Sequence, residues 1–267
     1  ADTANYSIYE LQFPSPVETA FAANDTVHCE YYRVHGNRAR PAVVVLHILD
    51  GSFTVARLAC ATLADSGVDA LMLKLPFYGE RKPENGTSPV KNPKTFRLLV
   101  TQGVADVRRA SALLAGMDHV PARQVGLCGI SLGGFVGALT AGVDGHYRRA
   151  MFVLAGGDLY GALTRGKNET ASINKRFARA GLTGKKLKEF LRPLDPLTFA
   201  PRMSDCSVLM LNVTGDDVVP RSCAEQLAEA AEGARIEWYE GNSHLAMLPH
   251  LFEVLNRVTD HFAPERW

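Results

Sequence analysis

The chain has 267 residues, a length that suits one large α/β domain or two small ones. Hydrophobic residues make up 46% of the sequence and charged residues 21%, as in ordinary soluble globular proteins. The net charge of +1 gives no general electrostatic reason to bind nucleic acid. The longest strongly apolar run, from Ala42 to Leu49, is far shorter than the roughly 20 residues that span a bilayer.

The cysteines bear on metal binding and on compartment. They number five, and no two of them have CxxC spacing, so we expect neither a disulfide framework nor a zinc site. Cys60 and Cys128 lie among apolar residues and are typical of buried free thiols, which favours a reducing, cytoplasmic environment. The sequence begins with Ala1 rather than methionine, so we expect its start to have been processed or trimmed.

Strand-like and helix-like segments alternate along most of the chain. Residues 1–26 show no clear period, and we interpret them as an arm that lies on the domain. Apolar, β-branched and aromatic runs predict strands at 27–34, 42–48, 68–75, 123–128, 149–155, 207–213 and 235–239. Helical spacing predicts helices at 54–66, 96–114, 222–231 and 245–262. This alternation implies a mostly parallel sheet with helices on both faces.

Residues 158–205 interrupt the alternation and predict a small helical cap inserted into a single domain of residues 1–267. The segment has helix-like patches near 173–180 and 184–191. Between residues 165 and 192 it carries nine Lys or Arg and two Glu. The simplest interpretation is a solvated helical face. The alternative is a positive cap that attracts anionic substrates.

One stretch carries the clearest chemical signal, Gly129-x-Ser131-x-Gly133. A strand that turns sharply into a helix at a serine needs glycine two residues to each side, because a Cβ atom there would clash. The serine hydroxyl would then lie at the end of the sheet, beside backbone N–H groups of the helix N-terminus. The pattern predicts a nucleophilic Ser131.

An acid and a base follow the nucleophile, each directly after a predicted strand. Asp216 and Asp217 come after strand 207–213, and His244 comes after strand 235–239. Because catalytic groups collect at the carboxyl ends of parallel strands, these side chains are expected to meet Ser131. A serine nucleophile needs a base, and the base needs an orienting acid.

With these motifs, residues 40–262 resemble the α/β-hydrolase superfamily. The resemblance implies an α/β-hydrolase fold in which Ser131 is the nucleophile. It implies that His244, at the end of a Gly-x-x-His turn, is the base, and that Asp216, in an Asp-x-x-Val-Pro frame, is the acid. Asp217 remains the alternative acid, because the glycine that normally stands three places before the acid is replaced by Val213.

The resemblance also implies an oxyanion hole. One donor is the N–H of Leu132, the residue after the nucleophile. The second donor would come from the loop after strand 42–48, where the superfamily often has His-Gly. This chain has His47-Ile48-Leu49, so either Ile48 or Leu49 would supply the second N–H.

The loop of residues 75–81 resembles the equivalent loop of acetyl-xylan-esterase-like and dienelactone-hydrolase-like members. It offers Tyr78 and Arg81 as possible substrate contacts, although a loop ion pair is the simpler role for Arg81.

The predicted function is that of a serine hydrolase acting on small-molecule carboxylic esters with short acyl groups. The mechanism is an acyl-enzyme cycle that needs no cofactor or metal. A peptidase-like or lactone-opening hydrolase is the alternative on the same fold, and a non-catalytic binding protein is a third. The sequence leaves the oligomeric state open.

Overall fold

The structure is a computed structural model that describes residues 1–49 and 51–267. Its described residues form strands β1 (Tyr6–Pro14), β2 (Thr26–Val34), β3 (Ala42–Leu46), β4 (Asp69–Leu73), β5 (Val125–Ile130), β6 (Arg149–Val153), β7 (Ser207–Val213) and β8 (Arg235–Tyr239). Their α-helices are α1 (Thr54–Asp65), α2 (Pro93–Ala115), α3 (Leu132–Asp144), α4 (Leu159–Arg165), α5 (Asn168–Arg179), α6 (Gly184–Leu191), α7 (Pro196–Phe199), α8 (Arg221–Ala230) and α9 (Leu251–Phe262). Within these described ranges, no helix is both long and apolar enough to cross a membrane.

All the strands belong to one sheet in the order β1-β2-β4-β3-β5-β6-β7-β8. The β1–β2 and β2–β4 pairs are antiparallel, and the remaining pairs are parallel. One face packs against α2, α3 and α8, and the other packs against α1 and α9. The prediction of a mostly parallel sheet with helices on both faces is therefore confirmed.

The first 26 residues contain more regular structure than the sequence predicts. Tyr6–Pro14 forms the edge strand β1, paired with β2 in a register from Tyr6 opposite Val34 to Pro14 opposite Thr26. Much of β1 is solvent-exposed, so its side chains do not repeat the uniform apolar run of the central strands. An edge strand of this kind leaves little signal in the sequence.

Helices α4 to α7 lie between β6 and β7, where the sequence predicts the insert. Their apolar side chains form a separate cluster with residues of α2 and α3. Phe177 of α5, for example, meets Phe96 of α2 edge-on with ring centroids 5.3 Å apart. The insert thus packs on the two helices that flank the carboxyl end of β5.

Candidate active site

Ser131 lies in a strained turn between β5 and α3. Its backbone has φ 52° and ψ −112°, in the left-handed range that side chains other than glycine rarely adopt. The Ser131 N–H donates a 2.8 Å hydrogen bond to the carbonyl of Val153, which fixes the turn against the neighbouring strand. A strained serine at a strand–helix junction is the local geometry that the glycine pattern predicts.

The two glycines of the motif are needed because the chain folds tightly on itself here. A Cβ atom on Gly129 would lie 2.2 Å from the carbonyl oxygen of Gly133. A Cβ atom on Gly133 would lie 2.5 Å from the carbonyl oxygen of Leu46 in β3. Both contacts are with backbone, so no side-chain rotation could relieve them.

Gly129→Ala is therefore expected to displace the turn and lower both the melting temperature and the activity. We expect a destabilisation of about 1–3 kcal/mol, the range for overpacking. Gly137→Ala is the matched control, because its Cβ would meet only side chains, the Phe152 ring at 3.3 Å and Leu127 Cγ at 3.6 Å, and alanine favours helix. Thermal melting of both variants checks this, and equal stability would contradict the packing argument.

Ser131, His244 and Asp216 form a continuous hydrogen-bonded chain. The His244 Nδ1–H donates to Asp216 Oδ2 at 2.7 Å, since a carboxylate only accepts. The opposite ring nitrogen, Nε2, then accepts from the Ser131 hydroxyl at 3.0 Å. The three side chains come from the ends of β5, β7 and β8, which lie on the same edge of the sheet.

The two neighbouring aspartates have different partners. Asp216 is buried, and its second oxygen accepts N–H bonds from Val218 and Val219 at 2.8 and 2.9 Å. Asp217 instead accepts from the backbone N–H of His244 at 2.9 Å and from the Asn168 side-chain amide at 2.7 Å. Asp216 therefore contacts the imidazole, whereas Asp217 links the His244 turn to the start of α5.

The residues predicted to supply the oxyanion donors line the cleft together with Ser131. Leu132 is the first residue of α3, so its N–H has no acceptor within the helix. Leu49 lines both parts of the cleft next to Ser131, whereas Ile48 lines only the larger part.

His47 shapes the loop that presents Ile48 and Leu49. Its Nδ1–H donates to the carbonyl of Ile48 at 2.7 Å, and its Nε2 accepts from the Leu75 N–H at 3.1 Å. The carbonyl of His47 also accepts the Gly133 N–H at 3.0 Å, which ties this loop to α3. The buried imidazole thus joins two loops at the edge of the cleft.

Neither Tyr78 nor Arg81 is among the described residues that line the cleft. Arg81 is completely buried, and its guanidinium forms a 2.7 Å ion pair with Asp106. Burial lowers the pKa of the Arg81 guanidinium and raises the pKa of the Asp106 carboxyl, because burial disfavours both charges. Tyr78 packs edge-on against His47 at 4.8 Å. These positions favour the loop ion pair for Arg81 over contact with a substrate.

The cleft at Ser131 has two lobes. The larger lobe, about 500 Å³, is lined by His244 and by residues of the following turn and α9. The smaller lobe, about 80 Å³, lies between α3, α2 and the insert, and His244 does not line it. Ser131 borders both lobes.

The charge around the cleft is negative. Glu169 lines both lobes and Asp217 lines the larger one, and among the described residues no lysine or arginine lines either lobe. The basic side chains of α6 lie elsewhere, with Lys185 and Lys188 lining a separate groove of about 440 Å³. This arrangement supports the solvated-face interpretation of the basic run.

Several residues that line the cleft carry no clear signal in the sequence. Phe135 lies one helical turn after Ser131, so helical spacing alone could have indicated it. Glu169 and Ile173 reach the cleft from α5. Their position depends on how the insert packs, and no local pattern reports that.

Comparison with known proteins agrees with this fold. An acetyl xylan esterase from Paenibacillus sp. R4 has a TM-score of 0.75 and 20% identity, covering 97% of this chain and 85% of its own. A dienelactone hydrolase from Klebsiella pneumoniae, described as putative, has a TM-score of 0.63 and 18% identity, covering 96% and 99%. A puromycin-hydrolyzing peptidase of Mycobacterium tuberculosis has a TM-score of 0.68 and 17% identity, covering 89% of this chain but 37% of its own.

Similarity in sequence identifies the family of the chain more narrowly than similarity in structure does. No curated protein matches it. Residues 1–171, more than half of the chain, match the family described as alpha/beta hydrolase domain containing 18. The structural neighbours share the α/β-hydrolase fold, as the sequence motifs predict. The chain therefore belongs to the alpha/beta hydrolase domain containing 18 family of the α/β-hydrolase superfamily.

Proposed function

We propose that this protein is a serine hydrolase that cleaves carboxylic esters with short acyl groups. The observation that carries the proposal is the hydrogen-bonded chain from Ser131 through His244 to Asp216, at 3.0 and 2.7 Å. A hydroxyl is a weak nucleophile by itself and is activated by a base within hydrogen-bond reach. The insert of residues 158–205 then acts as a cap on a single domain of residues 1–267.

The reaction follows from this geometry. As Ser131 Oγ attacks the ester carbonyl, His244 Nε2 takes its proton, and Asp216 stabilises the imidazolium and holds its tautomer. His244 then gives the proton to the leaving alcohol oxygen as the carbon–oxygen bond breaks. Water, deprotonated by His244, attacks the acyl-enzyme, and Ser131 recovers its proton when the acid leaves.

The Leu132 N–H and the N–H of Leu49 or Ile48 stabilise the tetrahedral oxyanion. Donors that are already in place where negative charge develops lower the barrier, because they need no reorganisation during the reaction. Leu49 is the better candidate for the second donor, since it borders Ser131 in both lobes.

Ester, amide and lactone substrates are distinguished by a matched panel. The alternative of a peptidase is prompted by the puromycin-hydrolyzing peptidase among the structural neighbours. We expect the unactivated ester ethyl acetate to be hydrolysed and both 4-nitroacetanilide, whose acyl group is the same, and an unactivated lactone to be poor substrates. Comparable kcat/KM for the anilide, or faster opening of a lactone, would contradict ester specificity. No turnover in any arm would favour a binding protein.

Charge provides a further prediction. Replacing Lys185, Lys186 and Lys188 by glutamine should leave kcat/KM unchanged for both a neutral ester and a carboxylate-bearing ester, because Lys185 and Lys188 line the separate groove. Glu169→Gln should instead raise kcat/KM for the anionic ester by a few-fold at low salt, since an exposed charge acts weakly and is screened. A fall for the anionic ester in the lysine variant would restore the steering hypothesis.

A further inference from the structure

Only one of the two lobes of the cleft is bordered by the base His244. This difference indicates which lobe holds the acyl group of an ester and which holds its alcohol. The inference rests on the proposed function. His244 borders the larger lobe, whereas the smaller lobe is bordered by Leu132 and Phe135 of α3. Ser131 lies between them, and a carbonyl carbon attacked by its hydroxyl carries one substituent toward each side.

Proton delivery to the leaving oxygen decides which lobe holds the alcohol and which holds the acyl group. The general acid must reach the leaving oxygen at about 2.6–3.2 Å, directly or through one water. His244 Nε2 lies 3.0 Å from Ser131 Oγ, so the leaving oxygen has to lie on the His244 side of the serine. The alcohol then continues into the larger lobe. The acyl substituent, on the opposite side, enters the smaller lobe.

The smaller lobe limits the acyl group. A cavity of about 150 Å³ holds a benzene molecule, so about 80 Å³ holds a chain of about two to four carbons. Its walls are Val100 of α2, Val136 of α3 and Ile173 of α5, which are 5%, 1% and 5% exposed. Because helices from the domain and from the insert meet here, the walls have little freedom to retreat.

The larger lobe suits an apolar alcohol. Leu245 and Leu248 lie at its mouth and are 68% and 56% exposed, a large apolar exposure for side chains next to a polar site. Met247 and Val254 form its wall deeper in. The acidic side chains of Glu169 and Asp217 at this lobe disfavour an anionic alcohol.

We propose that the physiological substrate is a short-chain ester of a bulky, apolar alcohol without negative charge. Its acyl group of about two to four carbons lies in the smaller lobe, and its alcohol lies in the larger lobe beside His244.

Isomeric esters test this assignment directly. Hexyl acetate and ethyl hexanoate have the same atoms and nearly the same hydrophobicity, but they exchange the long and short halves. We expect kcat/KM for hexyl acetate to exceed that for ethyl hexanoate by at least about tenfold, since one poorly accommodated methylene already changes specificity by about 10-fold or more. Equal values, or a preference for ethyl hexanoate, would overturn the assignment.

Two variants locate the effect. Phe135→Ala should enlarge the smaller lobe and raise kcat/KM for ethyl hexanoate relative to ethyl acetate by about tenfold. Phe135→Leu serves as the milder change if the alanine variant does not fold. Leu248→Ala, in the larger lobe, should weaken hydrolysis of hexyl acetate but leave the ratio between ethyl acetate and ethyl hexanoate unchanged. The opposite pattern would place the acyl group in the larger lobe.

The outcomes separate this inference from the proposed function. If both isomers are hydrolysed equally and Ser131→Ala abolishes the hydrolysis, the lobe assignment fails while the esterase proposal stands. If neither isomer nor 4-nitrophenyl acetate is hydrolysed, the proposed function itself fails.

Discussion

Ser131→Ala is expected to lower kcat for 4-nitrophenyl acetate by about 10⁴- to 10⁶-fold, the range seen when one member of a triad is removed. Alanine keeps the Cβ atom of serine, so the backbone at φ 52° is no more strained in the variant than in the wild type. The hydroxyl that His244 Nε2 binds is lost, and with it the atom that forms the acyl-enzyme. Steady-state kinetics measure the loss of activity, and thermal melting shows whether the stability of the fold has changed.

The control for Ser131→Ala is Ser172→Ala, on the exposed side of α5. It should keep full activity. If Ser131→Ala retained more than about a tenth of wild-type kcat with unchanged melting, Ser131 would not be the nucleophile.

Asp216→Asn is expected to lower kcat by about 10⁴-fold, because an amide in place of the orienting carboxylate favours the wrong histidine tautomer. The carboxylate of Asp216 receives the His244 Nδ1–H at 2.7 Å. An asparagine amide could present its own N–H there, and Nδ1 would then accept. Nε2 would carry the proton and could no longer accept one from Ser131.

Asp217→Asn is the matched comparison, one residue away with the same chemical change. Its carbonyl oxygen can still accept the His244 backbone N–H, so the loss should be confined to the contact with Asn168. We expect a decrease in kcat of about tenfold or less and a loss of up to about 1.5 kcal/mol in stability, the value of one hydrogen bond. Steady-state kinetics on both variants would assign the acid to Asp217 if the ranking were reversed.

The sequence predicts the sheet because its central strands are uniformly apolar. Val43 and Val44 of β3 are both fully buried, as a strand covered on two faces requires. The order of the strands could not be predicted in the same way. In the sheet β4 lies between β2 and β3, and the pattern of apolar residues along the chain does not show which strands pair. Edge strand β1 was not predicted, because one exposed side removes the uniform pattern.

The candidate site was predictable where the backbone creates the requirement. Glycine at 129 and 133 marks the turn at Ser131, since a Cβ atom has no space there. The Asp-x-x-Val-Pro frame favours Asp216 over Asp217, but both residues follow β7, and the sequence alone does not fix which carboxylate faces the His244 ring.

The partner of the loop residue Arg81 could not be predicted from the sequence. The sequence favours an ion pair for Arg81 without naming its partner, and in the structure Arg81 turns inward to Asp106 of α2. Its partner is 25 residues away in sequence, so no local pattern indicates the pair.

Labelling with a fluorophosphonate, read by intact mass and peptide mapping, tests the central claim most directly. Such a reagent phosphonylates an activated serine and spares ordinary hydroxyls, so its reaction reports the Ser131–His244–Asp216 chain itself. We predict one adduct per chain, located on Ser131, absent in Ser131→Ala and formed far more slowly in His244→Ala. An unlabelled wild-type protein, or an adduct on another residue, would contradict the account.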